Sequence, residues 1–317
     1  MTAMLNAAHF RDDVAARKLI EAIRWPDGPV CSHCGTLDHA YPIKKAGWYR
    51  CAEKECRKDF TVTTGTVMER SHIPLHMWLQ AFYLMNASKK GISAHQLHRQ
   101  LGIRYQSAWF MCHRIREAMR SGGLAPATPT MGGAGKTVEA DETYFGKINK
   151  DELMPPDPGK RSGKARGIKR SAYRAVFALV ERGGKVRTFQ IAQADQATVH
   201  AIMRANIAKE TRIHTDESGL YKIAQWHFAK HETIKHAIKE YARGDVTTNT
   251  VEGYFSIFKR GMKGIYQHCG EKHLHRYLAE YDHRYNHRIA LGYNDNDRTI
   301  AAIKGAGGKR LTYHQSH

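Results

Sequence analysis

The sequence predicts a multi-domain protein of α+β and α/β class, and three observations carry this prediction. Its 317 residues exceed the usual size of one hydrophobic core, so two or three domains are expected. Four of its six cysteines fall within one short window near the N-terminus. Beyond residue 136, β-rich runs and an amphipathic helical run follow one another in the order of an α/β layer.

Composition narrows the kind of partner. The chain carries 50 Lys and Arg against 30 Asp and Glu, which gives a net charge of +20 and a pI of about 9.7. Such a charge favours a polyanion, either nucleic acid or an anionic membrane surface. The longest purely apolar run, AVFALV at 175–180, is far too short to span a bilayer, and the N-terminus lacks the apolar region of a signal peptide. We therefore expect a cytoplasmic protein with no membrane partner.

The first element is an N-terminal helix within residues 1–25, because apolar residues recur at helical spacing over 9–24 and WPDGP then breaks the pattern. The cysteine window follows and reads C-x2-C, sixteen residues, C-x4-C. Its four thiols belong to Cys31, Cys34, Cys51 and Cys56. Two thiolate pairs at loop spacing are typical of a closed, structural Zn²⁺ site. We predict a zinc ribbon over 26–70 that ends in the strand FTVTTGTV, against the alternative of four unrelated reduced cysteines.

Residues 71–120 are predicted to be helical, beginning with PLHMWLQAFYLMNAS. A short helix with Leu97 and Leu101 inward, the turn LGI and a longer helix from Tyr105 to Arg120 then form a helix-turn-helix pattern, whose second helix faces the DNA major groove. The DNA contacts predicted on that second helix are Gln106, Arg114 and Arg116, with Ser107 and His113 beside them. The alternative is a three-helix connector without a DNA-reading role.

The α/β region is predicted to follow a Gly- and Pro-rich linker at 121–136. It covers residues 137–300 and contains three strands, a helix and a fourth strand, and a basic tail occupies 301–317. Between the first two strands, the Lys-, Arg- and Gly-rich segment 146–170 is expected to be a solvated loop or a nucleic-acid contact.

Carboxylates indicate the chemistry of this region. Asp141 lies in the first strand, on the same face as Glu139, and Asp216 ends the fourth strand. Glu252 begins a helix on which Lys259, seven residues later, shares its face. Three acidic side chains brought together can hold two divalent cations for phosphodiester chemistry. The alternatives are helix caps: Asp216 for the helix near Ser218, and Glu252 in a capping box with Asn249.

These motifs together resemble the bacterial insertion-sequence transposases of the DDE superfamily that carry an N-terminal zinc ribbon. The resemblance runs from about Trp25 to Arg288. It rests on the paired cysteines, FTVTTGTV, the W and LGI of the helical region, EADETYFG, HTDES, TNTVEGYFSIFKRG and HLHRYLAEYDHRYNHR in this order. It implies a ribonuclease-H-like catalytic domain in which Asp141, Asp216 and Glu252 hold two Mg²⁺ or Mn²⁺ ions. Related groups carry Glu or Asn at the third position, so Asn249 stays an alternative ligand.

The resemblance also implies an activity and its partners. A transposase of this kind binds the terminal inverted repeats of its element, cleaves the DNA and transfers the strand to target DNA. Lys259 would act as the basic catalytic residue near the scissile phosphate, with Arg260 as a further DNA contact. A dimer or larger assembly on DNA, close to the nucleoid, is expected. Two other classes stay open: a zinc-ribbon regulator without catalysis, and a ribonuclease-H-fold nuclease or resolvase without strand transfer.

Overall fold

The computed structural model describes residues 4–122, 129–147, 173–238 and 240–312. The chain divides into two compact units: Met1–Thr128 together with His287–His317, and Pro129–Asn286. The chain therefore leaves the first unit, completes the second and returns. The predicted segment 146–170 lies, from residue 148 onward, outside the described residues.

The first unit begins with helix α1, Asp13–Arg24, whose N-terminus is capped by the Asp12 carboxylate accepting from the Ala15 amide at 2.7 Å. Strands β1 (Ala40–Pro42), β2 (Trp48–Cys51) and β3 (Asp59–Thr61) then form an antiparallel sheet. The last strand is shorter than the predicted FTVTTGTV. Beyond it, the Thr61 amide donates to the Thr64 hydroxyl at 3.0 Å, so the threonines build a turn.

Three helices follow in the first unit: α2 (Leu75–Ala87), α3 (Ala94–Leu101) and α4 (Tyr105–Met119). Helix α3 is capped by Ser93 and ends at Gly102, whose φ of 65° is the left-handed conformation that glycine adopts most easily. Leu97 and Leu101 are buried as predicted. A short turn joins α3 to α4, as the sequence predicted.

The described residues of the second unit form a five-stranded mixed sheet. Its strands are β4 (Thr137–Lys147), β5 (Tyr173–Glu181), β6 (Val186–Ile191), β7 (Arg212–Asp216) and β8 (Lys230–Ile234). They lie in the order β6-β5-β4-β7-β8; the first three are antiparallel, and β7 and β8 are parallel to β4. Strand β8 was not predicted, because it is a polar edge strand whose burial falls on Ile234 at its end.

Helices cover both faces of this sheet. Helix α5 (Gln196–Asn206) packs on one face, where Val138 and Ala140 of β4 join the core. Helices α6 (Asn249–Gly261) and α7 (Leu274–Asn286) pack on the other. Alternate residues of β5 contribute to the two apolar layers, Phe177 to one and Val176 to the other, and the predicted ribonuclease-H-like α/β class is confirmed.

Two boundaries differ from those predicted. Met131, placed by sequence in the linker, is 4% exposed, and its amide donates to the Asn206 carbonyl at 2.7 Å. Residues 129–136 thus belong to the second unit, whereas 123–128 lie outside the described residues. At the other end, helix α8 (Asp295–Lys304) contributes Ala302 and Ile303 to the core of the first unit, so the boundary at residue 300 is displaced to 286.

The predicted basic tail is also partly buried. The Lys309 side chain is 6% exposed, and its ammonium donates to the carbonyls of Ala118 and Arg120 at the end of α4. Cations at a helix C-terminus satisfy its unpaired carbonyls. None of the described helices is long and apolar enough to cross a membrane.

Candidate active site and metal centre

The four predicted zinc ligands converge in the first unit. The sulfur atoms of Cys31, Cys34, Cys51 and Cys56 lie within 4.8 Å of one another. The Sγ atoms of Cys31 and Cys56 are 3.8 Å apart, and those of Cys34 and Cys51 are 3.6 Å apart. Tetrahedral Zn²⁺ with bonds of about 2.3 Å separates its sulfur ligands by about 3.8 Å. The cysteines therefore fit a closed zinc site.

The candidate catalytic carboxylates come from three elements of the second unit. Asp141 lies in β4, Asp216 ends β7 and Glu252 lies in the first turn of α6. Strands β4 and β7 are parallel and pair Glu139 with His214. Asp141 and Asp216 each stand two residues beyond that pair, so the register brings them to the same end of the sheet.

The three carboxylates share one electrostatic environment. Burial, together with the negative charges of Glu142, Asp216 and Glu252, raises the pKa of Asp141 to about 8. Burial also raises the pKa of Asp216, opposed by a hydrogen bond from the Ser218 amide and by His236. Like charges held in a buried site are relieved by a bound cation, and oxygen ligands suit Mg²⁺ or Mn²⁺.

The spacing of the carboxylates is wider than that of the cysteines. Among the described residues, the four cysteines alone form a cluster of three or more His, Cys, Asp or Glu side chains whose ligand atoms all lie within 4.8 Å of one another. The three carboxylates are not that close together. Two ions in a phosphoryl-transfer site are separated by about 3.5–4 Å, so their carboxylates surround two points rather than one. The donor set at Asp141, Asp216 and Glu252 fits such a pair in its chemistry.

The sequence offered helix-capping roles for Asp216 and Glu252, and the structure supports only the one for Asp216. Asp216 does act in a turn, since its Oδ1 accepts from the Ser218 amide at 3.0 Å. The predicted box between Asn249 and Glu252 does not form, because Asn249 is the first residue of α6 and not its cap. The Glu252 Oε1 instead accepts from the Thr248 hydroxyl at 2.8 Å, and its side chain is 46% exposed.

The first amides of α6 are satisfied by a residue that the sequence did not identify as a cap. The buried Glu139 carboxylate of β4 accepts from the Thr250 amide at 2.8 Å and the Val251 amide at 3.0 Å. The sequence placed Glu139 on the same strand face as Asp141. It did not predict the contact between Glu139 and Thr250, which lies 111 residues later.

Two further neighbours of the carboxylates also escaped prediction. The His236 Nε2 lies 3.5 Å from the Glu252 Oε1. The Glu142 carboxylate accepts from the hydroxyl of the buried Tyr221, and burial raises the pKa of Glu142. In the sequence, only its position directly after Asp141 indicated that Glu142 lies near the site.

The basic residues of α6 lie where the sequence placed them. Helix α6 exposes Glu252, Ser256 and Arg260, while Lys259 is half-buried. The Arg260 Nε donates to the Ser256 carbonyl at 3.2 Å. Lys259 follows Glu252 by about two helical turns and stands on the same side of α6.

Two of the DNA contacts predicted on α4 are buried in the structure. Arg114 is 8% exposed and Arg116 is 2% exposed, and the neighbouring His113 is buried as well. The Arg114 guanidinium donates to the Glu69 carbonyl at 2.9 Å and to the Leu311 carbonyl at 3.2 Å. The second half of α4 therefore belongs to the core of the first unit.

The exposed side of the helix-turn-helix lies at its turn. Gln106 in the first turn of α4 is exposed, as are Arg104 and Tyr105 before it. The Tyr105 ring stacks on His95 of α3 with centroids 4.2 Å apart. Arg99 on α3 is exposed too, so polar and basic groups from both helices meet solvent here.

Comparison with known proteins gives the family context. An ISXO2-like transposase domain matches residues 132–286, and a transposase zinc-ribbon domain matches residues 11–59. The chain is 26% identical over 265 residues to a Halobacterium salinarum protein described as an uncharacterized protein in transposable element ISH50, covering 81% of this chain and 85% of that protein.

A similarity to a solved structure is much weaker. The crystal structure of the Mos1 strand transfer complex is matched at 11% identity over 68% of this chain and 76% of that one, with a TM-score of 0.20. A score of this size does not establish a shared fold. The two domain matches, in contrast, fall on the cysteine cluster and on the sheet that carries the carboxylates.

Proposed function

Because this chain belongs to the DDE-superfamily insertion-sequence transposases with an N-terminal zinc ribbon, we propose that it binds the terminal inverted repeats of its element and catalyses Mg²⁺-dependent DNA cleavage and strand transfer. One observation carries the catalytic part. Asp141, Asp216 and Glu252, from two parallel strands and one helix, are close enough for Asp216 and Glu252 to raise the pKa of the buried Asp141 carboxyl.

The residues of the site divide the chemistry between them. When bound, two Mg²⁺ or Mn²⁺ ions supply charge neutralisation at the attacking and leaving oxygens of the scissile phosphodiester. Asp141, Asp216 and Glu252 would hold those ions, with Asn249 as the alternative third ligand. Lys259 would contact a phosphate near the scissile bond, and the partly buried surroundings of Asp141 would keep bulk water away.

The reaction has two displacements on phosphorus. Water first attacks a phosphodiester at the transposon end, and the strand leaves as a 3′-hydroxyl. That hydroxyl then attacks a phosphodiester of the target DNA, so one bond forms as another breaks. No covalent protein intermediate is required.

DNA recognition would rest on the first unit together with α6. The zinc ribbon and the exposed turn of the helix-turn-helix, including Gln106, would read the transposon ends. Lys259 and Arg260 would contact DNA beside the carboxylates. Two ends must be joined in one reaction, so we propose a dimer or larger assembly on DNA, acting in the cytoplasm at the nucleoid.

The test uses duplex oligonucleotides that carry the inverted repeats found in the DNA flanking the gene. With Mg²⁺, the parent protein should cut at the repeat and join the new 3′ end to a target plasmid. Asp141→Asn should bind the repeat equally well and lose cutting and joining. Cutting without joined products would favour the nuclease or resolvase alternative, and specific binding without cutting would favour the regulator.

A further inference from the structure

Glu139 is a buried charged residue that the proposed reaction does not itself use. Its side chain is 0% exposed, and both of its oxygens are fully engaged. Oε2 accepts from the Thr250 and Val251 amides, at 2.8 and 3.0 Å. Oε1 accepts from the Thr250 hydroxyl at 2.9 Å and from the Arg182 Nε at 2.7 Å.

Arg182 extends this network to the segment that enters α6. Its Nη2 donates to the Thr247 carbonyl at 3.0 Å and to the Thr247 hydroxyl at 2.7 Å. Its Nη1 donates to the Asp245 carbonyl at 2.5 Å. Glu139, Arg182 and the first amides of α6 thus form one connected set, the Glu139 clamp, which joins β4 and the end of β5 to residues 245–251.

An ordinary helix start would not need this arrangement. Ser, Thr, Asp or Asn at the cap position normally satisfies the first amides of a helix, without burying a charge. Here the cap residue is Thr248, and within the described chain its hydroxyl makes no bond to the helix backbone. That hydroxyl donates to the Glu252 carboxylate instead, at 2.8 Å. Glu139 of the sheet therefore caps α6, and Thr248 at the cap position contacts the candidate ligand Glu252 instead.

The position of the clamp gives it a further consequence. Asp141 follows Glu139 by two residues on the same face of β4, about 7 Å along the strand. Glu252 directly follows Val251, whose amide the clamp holds. One side chain therefore fixes how far apart a carboxylate of the sheet and a carboxylate of α6 stand.

We propose that Glu139 is a positioning residue that sets the separation of Asp141 and Glu252 for a metal pair. This inference rests on the proposed function, since it assigns those carboxylates to the metal ions. Groups that orient metal ligands commonly change metal affinity or activity about 10–100-fold when they are lost. The clamp should therefore act on metal use, and the binding of terminal DNA should not depend on it.

The experiment compares Glu139→Gln with the parent in the full-length protein. The substitution keeps the size of the side chain, but it removes the charge and turns one acceptor into a donor. We expect hydrogen exchange at residues 249–254 to accelerate at least about tenfold, while the β4–β5 ladder keeps its protection. The Mn²⁺ concentration for half-maximal cleavage should rise about tenfold or more, with unchanged affinity for the terminal repeat.

Glu232→Gln is the matched control. Glu232 pairs with Arg212 at 2.6 Å and with Lys230 at 2.9 Å, so its substitution removes ion pairs from the same sheet without touching α6. Its exchange pattern at 249–254 and its Mn²⁺ midpoint should match the parent. Parent-like exchange and an unchanged midpoint in Glu139→Gln would overturn the proposal.

Thr250→Val keeps the experiment decisive if Glu139→Gln folds poorly. It removes the hydroxyl that donates to Glu139 at 2.9 Å and leaves the charge and both amides in place. A shift of a few fold in the same two measurements supports the proposal, and no shift in either contradicts it. If Asp141→Asn cleaves normally, the proposed function fails, whereas the exchange measurement still reports on the clamp.

Discussion

At the scale of single residues, the environment of Glu252 separates a structural role from a chemical one. The backbone amides that follow the start of α6 are held by Glu139, and Glu252 accepts a hydrogen bond from the Thr248 hydroxyl at 2.8 Å. Its carboxylate is therefore not needed to cap the helix. A half-exposed acidic side chain beside Asp141 is available to a ligand.

We predict that Glu252→Gln folds like the parent and binds terminal DNA equally well, yet loses about a hundredfold in Mg²⁺-dependent cleavage. An amide still accepts the Thr248 hydrogen bond, but it lacks the charge that a hard cation requires; several kcal/mol of transition-state stabilisation depend on the ion. Asp141→Asn and Asp216→Asn should behave alike. Thermal unfolding, DNA binding and cleavage of the same preparations measure the three effects.

Asn249→Ala completes this series. It should cleave like the parent if Glu252 is the third ligand. Full activity in Glu252→Gln alongside an inactive Asn249→Ala would move the ligand to Asn249.

At the scale of elements, α4 shows why a helix-turn-helix pattern does not by itself identify the DNA-reading residues. Helices α2 and α8 both pack against α4 in the first unit. Its residues from Met111 to Met119 are buried, including both arginines that the pattern offered to DNA. Only the start of α4, with Gln106, presents polar side chains to solvent near the turn.

Arg114→Ala should therefore lower stability rather than relax sequence discrimination. It leaves the part-buried Glu69 and Leu311 carbonyls without their donor, and loss of a hydrogen bond to a charged group costs about 1.5–3 kcal/mol. Chemical denaturation followed by a signal of the first unit measures this loss. A variant of parental stability that has lost its discrimination between repeat and random DNA would restore Arg114 as a reader.

Gln106→Ala is the matched comparison on the same helix. An exposed side chain changes stability by about 0.5 kcal/mol or less. If Gln106 reads a base, the variant should lose about 1–3 kcal/mol on the terminal repeat and less on unrelated DNA. Competition binding at one fixed salt concentration measures the ratio of the affinities for the terminal repeat and for unrelated DNA.

At the scale of the whole molecule, the two units have separate hydrophobic cores. The core of the first contains Cys31 and Cys51 together with Ala302 and Ile303, and the two cores of the second lie on either side of its sheet. A change at the four cysteines should thus act on residues 1–128 and 287–317. The predicted linker at 121–136 would have confined the effect to residues before it.

Cys31→Ser should lose zinc and affinity for the transposon end, because structural zinc contributes directly to the folding free energy of a small domain. Residues 129–286 should keep the exchange protection of their sheet. Metal analysis and hydrogen exchange on the same sample measure both results. Stoichiometric zinc in the variant would refute the four-cysteine assignment.

Much of the fold was predictable where the signal is local. Cysteine spacing predicted the four thiols that converge, and alternation along β4 places Asp141 and Glu139 on one face. What escaped prediction depends on distant partners: Glu139 meets Thr250 111 residues later, and Arg114 meets Leu311 197 residues later. No periodicity within one element encodes such a contact, so the buried arginines and the clamp needed the three-dimensional structure.

The return of the chain to its first unit has a consequence for synthesis. A ribosome finishes residues 129–286 before it makes α8, so the sheet can fold while the core around Ala302 and Ile303 still lacks its last helix. A nascent chain can thus carry a folded second unit before its first unit is complete. A gene copy interrupted after codon 286 would produce the same species permanently. Its second unit would keep all three carboxylates, while the open core of its first unit would be a ready target for cellular proteases.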